Sequence, residues 1–582
     1  MAAQSEALLV SWPSLANPQW ITWTLIAVSI LTLLLHGLKR LQPKPLPGIP
    51  YNRGIGILGD LPEMREAFNN GGARTWMWNM AKRHNSPIVQ MFFPPFKKSS
   101  VIIVDYHEAY DILVRRTKEF DRSTRSTEMF NTVIPNHHIS MKSSDHRFKG
   151  NKELIKDLMT PSFLSNVSAP AIYNKVTELI DLWEFKMDAG YGRPFAAFQD
   201  IADATVDIIL AVSFGFEDRH SVMRRYVESL ASEPKPRAST DPMEPVEFAR
   251  PPHSPDIDDL VTVNKSLHVA ITSPIPSLHH WILKKTKWRK AFRRKEEIVT
   301  EEINKAVKRL AVGDGSDSSG KSAMDHMLLR EMSAARKAGR EPLLGFLIGG
   351  SETSASAFGW VLKFLADNQD AQAKLRRQLC VSYAEARAEK RQPTVSEIVH
   401  NAAPYLDAFI EESLRCTKTL PVLMRQATVD TSILGYHIPK DTTIIILSRG
   451  ASITESAIQV PDDIRSKSSL ATRERVPNWN DNEITQFKPE RWIKTKEQTG
   501  GTAEFDNIEF DTCAGPMLTF GGGPRGCFGK RLAYLELRIM LTLLVWNFDF
   551  EQCAPELSSY ESIDIFTTMP RQCYAKLRKT LL

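Results

Sequence analysis

Phe520-Gly521-Gly522-Gly523-Pro524-Arg525-Gly526-Cys527-Phe528-Gly529 places one cysteine in a glycine-rich loop that runs straight into an apolar helical pattern. Three glycines and a proline let backbone amides crowd round one sulfur, and a helix starting at Phe528 adds unsatisfied N–H donors and the positive end of its dipole. Such surroundings are expected to hold a thiolate rather than a thiol. A Gly/Pro cluster ahead of a helix is otherwise only a turn, so other stretches must decide between the readings.

Phe520, Gly523, Arg525, Cys527 and Gly529 occupy every fixed position of a signature that resembles that of the cytochrome P450 family of haem-thiolate monooxygenases. The resemblance implies a mainly α fold with small β-sheets (α+β) and a non-covalent haem b whose iron takes Cys527 as axial ligand. It also implies that Phe520 lies near the sulfur, that Arg525 points its forked donors at a haem propionate, and that Gly529 lets the following helix pass close to the ring.

A second stretch agrees. Residues 343–348 and 355–365 are hydrophobic on either side of Gly349-Gly350-Ser351-Glu352-Thr353-Ser354, which therefore sits inside a long helical pattern. Each mid-helix glycine costs up to ~1 kcal/mol relative to alanine, so it needs a reason, such as room for something close to the backbone. An acid beside a threonine offers a proton path into an apolar pocket. The segment resembles the family's central-helix motif, which implies that Thr353 hydrogen-bonds dioxygen and Glu352 relays protons. Pro342 stands close before Gly349, so the helix either begins late or lacks part of its amino-terminal half.

Residues 404–415 read as a helix with Leu406, Phe409, Ile410 and Leu414 on one face, and Glu412 and Arg415 can meet at their spacing. With Phe487-Lys488-Pro489-Glu490-Arg491-Trp492 downstream, the pair resembles the family's buried triad, implying that Glu412, Arg415 and Arg491 lock the chain behind the haem. Residues 425–447 read as strand, turn, strand, and the resemblance sets Arg425 against a haem propionate. The other propionate usually meets a Trp and an Arg from an early helix; no Trp stands there, and His146, Arg147, Lys149, Lys152 and Lys156 stay open as candidates. Beyond the cysteine, Lys530, Arg531 and Arg538 make the start of an otherwise apolar helix basic, and the resemblance implies that this face receives an acidic reductase.

Lys plus Arg exceed Asp plus Glu by six in 582 residues, without a basic stripe, so nucleic-acid binding is not expected. The six cysteines show no C-x-x-C and no C-x-x-C-H, which argues against a zinc cluster, covalent haem attachment and a secreted disulfide framework. Residues 20–38 carry no charged side chain, and about 19 residues at about 1.5 Å each cross a hydrocarbon core. They read as a transmembrane anchor: residues 1–19 lumenal, 39–50 a proline-rich connector, and 51–582 the haem-thiolate domain. Lys39, Arg40 and Lys44 follow the span and leave that domain in the cytosol. Microsomal members of the family share this layout, which points by resemblance to the endoplasmic reticulum, and the Pro-Glu-Arg-Trp and Gly-Gly-Ser-Glu-Thr-Ser segments are similar to those of fungal microsomal members.

Prolines crowd the stretch between 233 and 259, which reads as a loop. Residues 315–322 fit G-x-x-x-x-G-K-[ST] letter for letter, yet a phosphate loop should follow a buried strand, and charged helical residues precede this one. No dinucleotide fingerprint is present, so electrons are expected from NADPH through a separate flavoprotein, an NADPH-cytochrome P450 reductase, with cytochrome b5 as an accessory donor. The expected reaction inserts one oxygen atom of O₂ into an apolar small molecule, by hydroxylation, epoxidation or multistep oxidation. A role in secondary metabolism fits the family's habits. The competing expectations are a haem-thiolate isomerase or dehydratase that needs no reductase, and a non-enzymatic haem-binding protein.

Overall fold

The computed structural model describes residues 18–41, 44–52, 58–69, 72–93, 99–216, 221–234, 236–237, 239–312, 322–334, 341–417, 419–496, 505, 507–564 and 566–580. The phosphate-loop-like segment lies outside these residues except for Ser322.

A helix of 27 residues, Glu341–Asp367, runs through the middle of the core. Pro342 stands in its first turn, where the missing N–H has no helical acceptor to lose. The helix Phe198–Phe214 packs across it. A Cβ at Gly350 would sit 2.6 Å from Ile209 Cδ1, so that glycine answers to helix packing. On the other side lies Lys530–Asn547, the helix after the cysteine loop. Its Leu532, Leu537, Ile539, Met540, Leu541, Leu543 and Leu544 are all buried, as a helix apolar on most sides requires. Leu406, Phe409, Ile410 and Leu414 of Pro404–Cys416 join the same core.

One five-stranded sheet stands beside the helices. Its strands are β1 Ile88–Met91, β2 Ser100–Ile103, β3 Phe120–Arg122, β4 Val422–Ala427 and β5 Thr443–Leu447, in the order β1-β2-β5-β4-β3. Only β2 and β5 pair in parallel. Val101, Ile103, Ile444 and Ile446 enter one apolar cluster while Ile102, Ile445 and Leu447 enter another, the two-residue alternation of a sheet covered on both faces. The β3–β4 register sets Arg122 directly opposite Arg425.

The proline-rich stretch is mostly irregular, but it ends earlier than its composition suggests. Pro255 opens the helix Pro255–Thr272, and Ser254 caps it by accepting the Ile257 N–H. At the amino-terminal end, the uncharged stretch falls within the helix Pro18–Leu41. Its described side chains, 22–37, are all exposed, and among the described residues no helix is long and apolar enough to cross a membrane.

Candidate active site

The cysteine loop closes on itself. The Cys527 N–H donates to Phe520 O at 2.9 Å and the Gly526 N–H to Gly523 O at 3.0 Å. Gly523 takes φ +64°, and a Cβ there would meet Leu113 O at 2.2 Å, so backbone conformation and close approach both require glycine. The Phe520 ring lies 5.2 Å from Tyr534 on the following helix. That helix starts at Lys530 with Gly529 as its N-cap, two residues beyond the expected start.

Opposing influences act on the Cys527 sulfur. Burial raises the pKa of the Cys527 thiol, and the opposing Gly529 N–H and Lys530 charge do not offset it. One amide and one lysine are too few to repay desolvation of a thiolate. The residue is nevertheless exposed by surface area. That exposed surface belongs to the residue as a whole, while protein atoms crowd the sulfur. A metal would remove the proton, because a coordinating thiol is deprotonated outright.

Two glycines leave room that protein does not fill. A Cβ at Gly529, or at Gly349 on the central helix, would meet no atom within 4 Å, in contrast to Gly350.

Three arginines converge beside the cysteine loop, which itself carries one of them. Burial, with the charges of Arg525 and Arg425, lowers the pKa of Arg122; burial first of all pushes Arg425 and Arg525 down to about 10. The carboxylate among them is Asp121, whose Oδ1 is 4.0 Å from Arg525 Nε. Arg122 Nε, Arg525 Nε and His138 Nδ1 are buried without a hydrogen-bond partner. Like charges opposite one another on a ladder are destabilising, so three guanidiniums round one carboxylate fit a ligand that brings two more. Haem, with its two propionates, passes this test. Of the open candidates in the early helix, Lys152 reaches the loop, donating to Pro524 O at 3.0 Å. His146 and Arg147 lie against Asp145, Lys149 is exposed, and Lys156 pairs with Glu153. Arg122 was not legible as a site residue, since a lone arginine in a short strand carries no signal until its cross-strand partner is known.

On the central helix, Thr353 Oγ1 donates to Gly349 O, one turn back, at 2.5 Å. Glu352 accepts from Thr567 Oγ1 and is hydrogen-bonded to His268 Nε2, both at 2.9 Å. Burial pushes the Glu352 pKa up, but His268 and Thr567 together bring it below its ordinary value, so it is a carboxylate at neutral pH. Both partners lie far off in sequence. Ser354 donates to Glu536 Oε2 at 2.7 Å, and Glu536 Oε1 is buried without a partner. Burial raises that carboxyl to about 8.

Glu412, Arg415 and Arg491 do come together. Arg415 Nε and Nη2 donate to Glu412 at 2.8 and 2.7 Å, and Arg491 Nε at 3.1 Å. Arg415 also donates to Ile453 O, Ile484 O and Gln486 O, tying the helix to the chain that precedes the loop. Of the three basic residues expected to face a partner, Arg538 is held inward by Asp407 at 2.6 Å, which leaves Lys530 and Arg531 exposed.

The Cytochrome P450 family profile matches residues 50–453 and 479–575. The chain belongs to the cytochrome P450 family. It is 36% identical to Cytochrome P450 monooxygenase TRI13 of Fusarium sporotrichioides, over 95% of this chain and 99% of that one. Cytochrome P450 monooxygenase GME11363 of Pestalotiopsis microspora is 34% identical over 95% and 97%. Among solved structures, a cytochrome P450 (CYP102L1) superposes with a TM-score of 0.64 at 19% identity, covering 93% of this chain and all of that one, which shows the fold. This P450 is a haem-dependent monooxygenase with a cysteine thiolate as axial ligand, and it works with O₂, a substrate and an external redox partner. Haem, if held by Cys527, would supply dioxygen activation and oxidation of carbon. The residues that would hold it are Cys527 at the iron and Arg122, Arg425 and Arg525 at its carboxylates.

Proposed function

We propose that this P450 is anchored in the endoplasmic reticulum membrane with its catalytic domain in the cytosol, and that it inserts one oxygen atom of O₂ into an apolar small molecule of secondary metabolism by hydroxylation, epoxidation or multistep oxidation. Electrons come from NADPH through NADPH-cytochrome P450 reductase, with cytochrome b5 as an accessory donor. The observation that carries the oxidation reading is the acid–alcohol pair. Thr353 lies one turn from Gly349, whose open side leaves space beside the hydroxyl. Glu352 is ionised and held on both oxygens by His268 and Thr567, so it can first take a proton from a protonated His268 and then pass that proton towards Thr353. An isomerase or dehydratase would not need such a path.

Anchoring is supported by the uncharged helical stretch with Trp23, Leu33 and Leu34 at 70, 72 and 59% exposure, and by Lys39, Arg40 and Lys44 beyond it. A second apolar surface, Ile275, Leu278, Trp281 and Ile282, is 58, 53, 60 and 44% exposed on and beside the helix Pro276–Lys285, with Lys284 and Lys285 at its end. Lipid would cover both.

The test is reconstitution of the full chain with reductase and NADPH under ¹⁸O₂, against a panel of terpenoids, polyketides and lipids. One ¹⁸O per oxygen inserted, lost without NADPH, is expected. Product formed without reductase would favour the isomerase reading, and haem uptake without any product the non-enzymatic one. Cys527→Ala should abolish the red-shifted absorption of the reduced carbon monoxide complex. Extraction of the chain from microsomes by alkaline carbonate would refute the anchor alone.

A further inference from the structure

Past Asp367, between the end of the central helix and residues 484–487, lies a cleft of about 380 Å³ that shares no residue with the cysteine loop or with residues 349–353. Trp360, Phe364, Phe487 and Tyr560 give it aromatic walls, and Phe364 and Phe487 stack at 4.8 Å. Arg449 opens on the same space. Its guanidinium makes no hydrogen bond or ion pair with any described residue. Burial lowers its pKa, and the nearest carboxylates, Asp564 and Glu455, act on it only through space. Glu455 is already taken by Trp78 Nε1 and Lys82. Asp367, on the cleft itself, accepts from the Tyr560 hydroxyl at 2.7 Å. Arg415 also lines the cleft, but its donors are used by Glu412 and three carbonyls.

A partly desolvated guanidinium without an acceptor is costly, and an anion that reaches it removes the cost. Its planar fork matches a carboxylate, and the four rings offer flat apolar surface to whatever carries that carboxylate. The volume lies in the range of about 300–1,000 Å³ typical of small-molecule pockets. We propose that this cleft is a second ligand site, which binds a small aromatic carboxylate with its ring against Trp360, Phe364, Phe487 and Tyr560 and its carboxylate paired with Arg449. Because Arg415 forms part of the wall and also holds Glu412, an occupant touches the structure that supports the cysteine loop without entering the oxidation site.

Full-length haem-loaded protein with imidazole saturating the iron is titrated by calorimetry with 1-naphthoate and with its neutral counterpart 1-naphthamide. One naphthoate per chain is expected, with the amide weaker by about tenfold or more, the loss that follows when a charge-assisted pair is replaced by a neutral one. Arg449→Gln should bring naphthoate to the level of the amide while the carbon monoxide spectrum is retained. Thr485→Trp, at an exposed position on the cleft wall, should abolish binding of both probes and decides the matter if Arg449→Gln fails to fold. Absence of naphthoate binding, equal affinity for the two probes, or binding that survives either variant overturns the proposal.

Discussion

Glu412→Gln isolates the charge at the centre of the triad while keeping its shape. The Glu412 carboxylate, fully buried, accepts from Arg415 Nε and Nη2, Arg491 Nε, Trp492 Nε1 at 2.9 Å and the Lys488 N–H at 2.8 Å. Glutamine puts an NH₂ donor where donors already converge and leaves both guanidiniums without a counter-charge. Hydrogen bonds to a charged group are worth about 1.5–3 kcal/mol each, but five on one carboxylate do not add, because the same desolvated charge is counted each time. The relevant figure is the cost of removing one partner from a buried ion pair, about 3–5 kcal/mol. Urea unfolding followed by tryptophan fluorescence reads it directly. Trp492 donates to Glu412, and the Arg415 and Arg491 guanidiniums lie 5.8 and 5.3 Å from the Trp479 ring. The variant should also lose haem when held near its lowered midpoint. A stability within about 1 kcal/mol of wild type would show that hydrogen bonding alone, without charge, holds this corner, and would refute the argument.

Arg122→Gln and Arg425→Gln should each raise the thermal stability of the haem-free protein, by relieving opposed charges across β3 and β4, and should speed haem transfer to apomyoglobin; a destabilised apoprotein with unchanged haem release would contradict this. Gly350→Ala should cost about 1–3 kcal/mol through overpacking against Ile209, whereas Gly349→Ala should cost nothing or stabilise by up to ~1 kcal/mol and still depress turnover, because the new methyl enters the space beside Thr353; equal effects in thermal melts would show that the two glycines share one role. Glu536 has its pKa raised from 4.5 to about 8, so between those values the folded state keeps a proton that the unfolded state has lost and wild-type stability falls as pH rises. Glu536→Gln should therefore gain on wild type from pH 4.5 to pH 8 and then level off, and a stability difference that does not vary with pH would exclude a buried protonated carboxyl.

What the sequence by itself determined are the features whose meaning is local. The cysteine loop, the Gly-Gly-Ser-Glu-Thr-Ser turn of the central helix and the Glu-x-x-Arg spacing can be read because glycine conformations, helical periodicity and three-residue spacing act over a few positions. Tertiary structure decided the rest, where function depends on pairing across long stretches of chain. It set Arg122 against Arg425 through the β3–β4 register, seated Glu352 between His268 and Thr567, and enclosed Arg449 with four rings. It also set the surroundings of Cys527: the loop's amides were visible in the order of residues, but the desolvation that raises the thiol's pKa comes from everything packed around the sulfur.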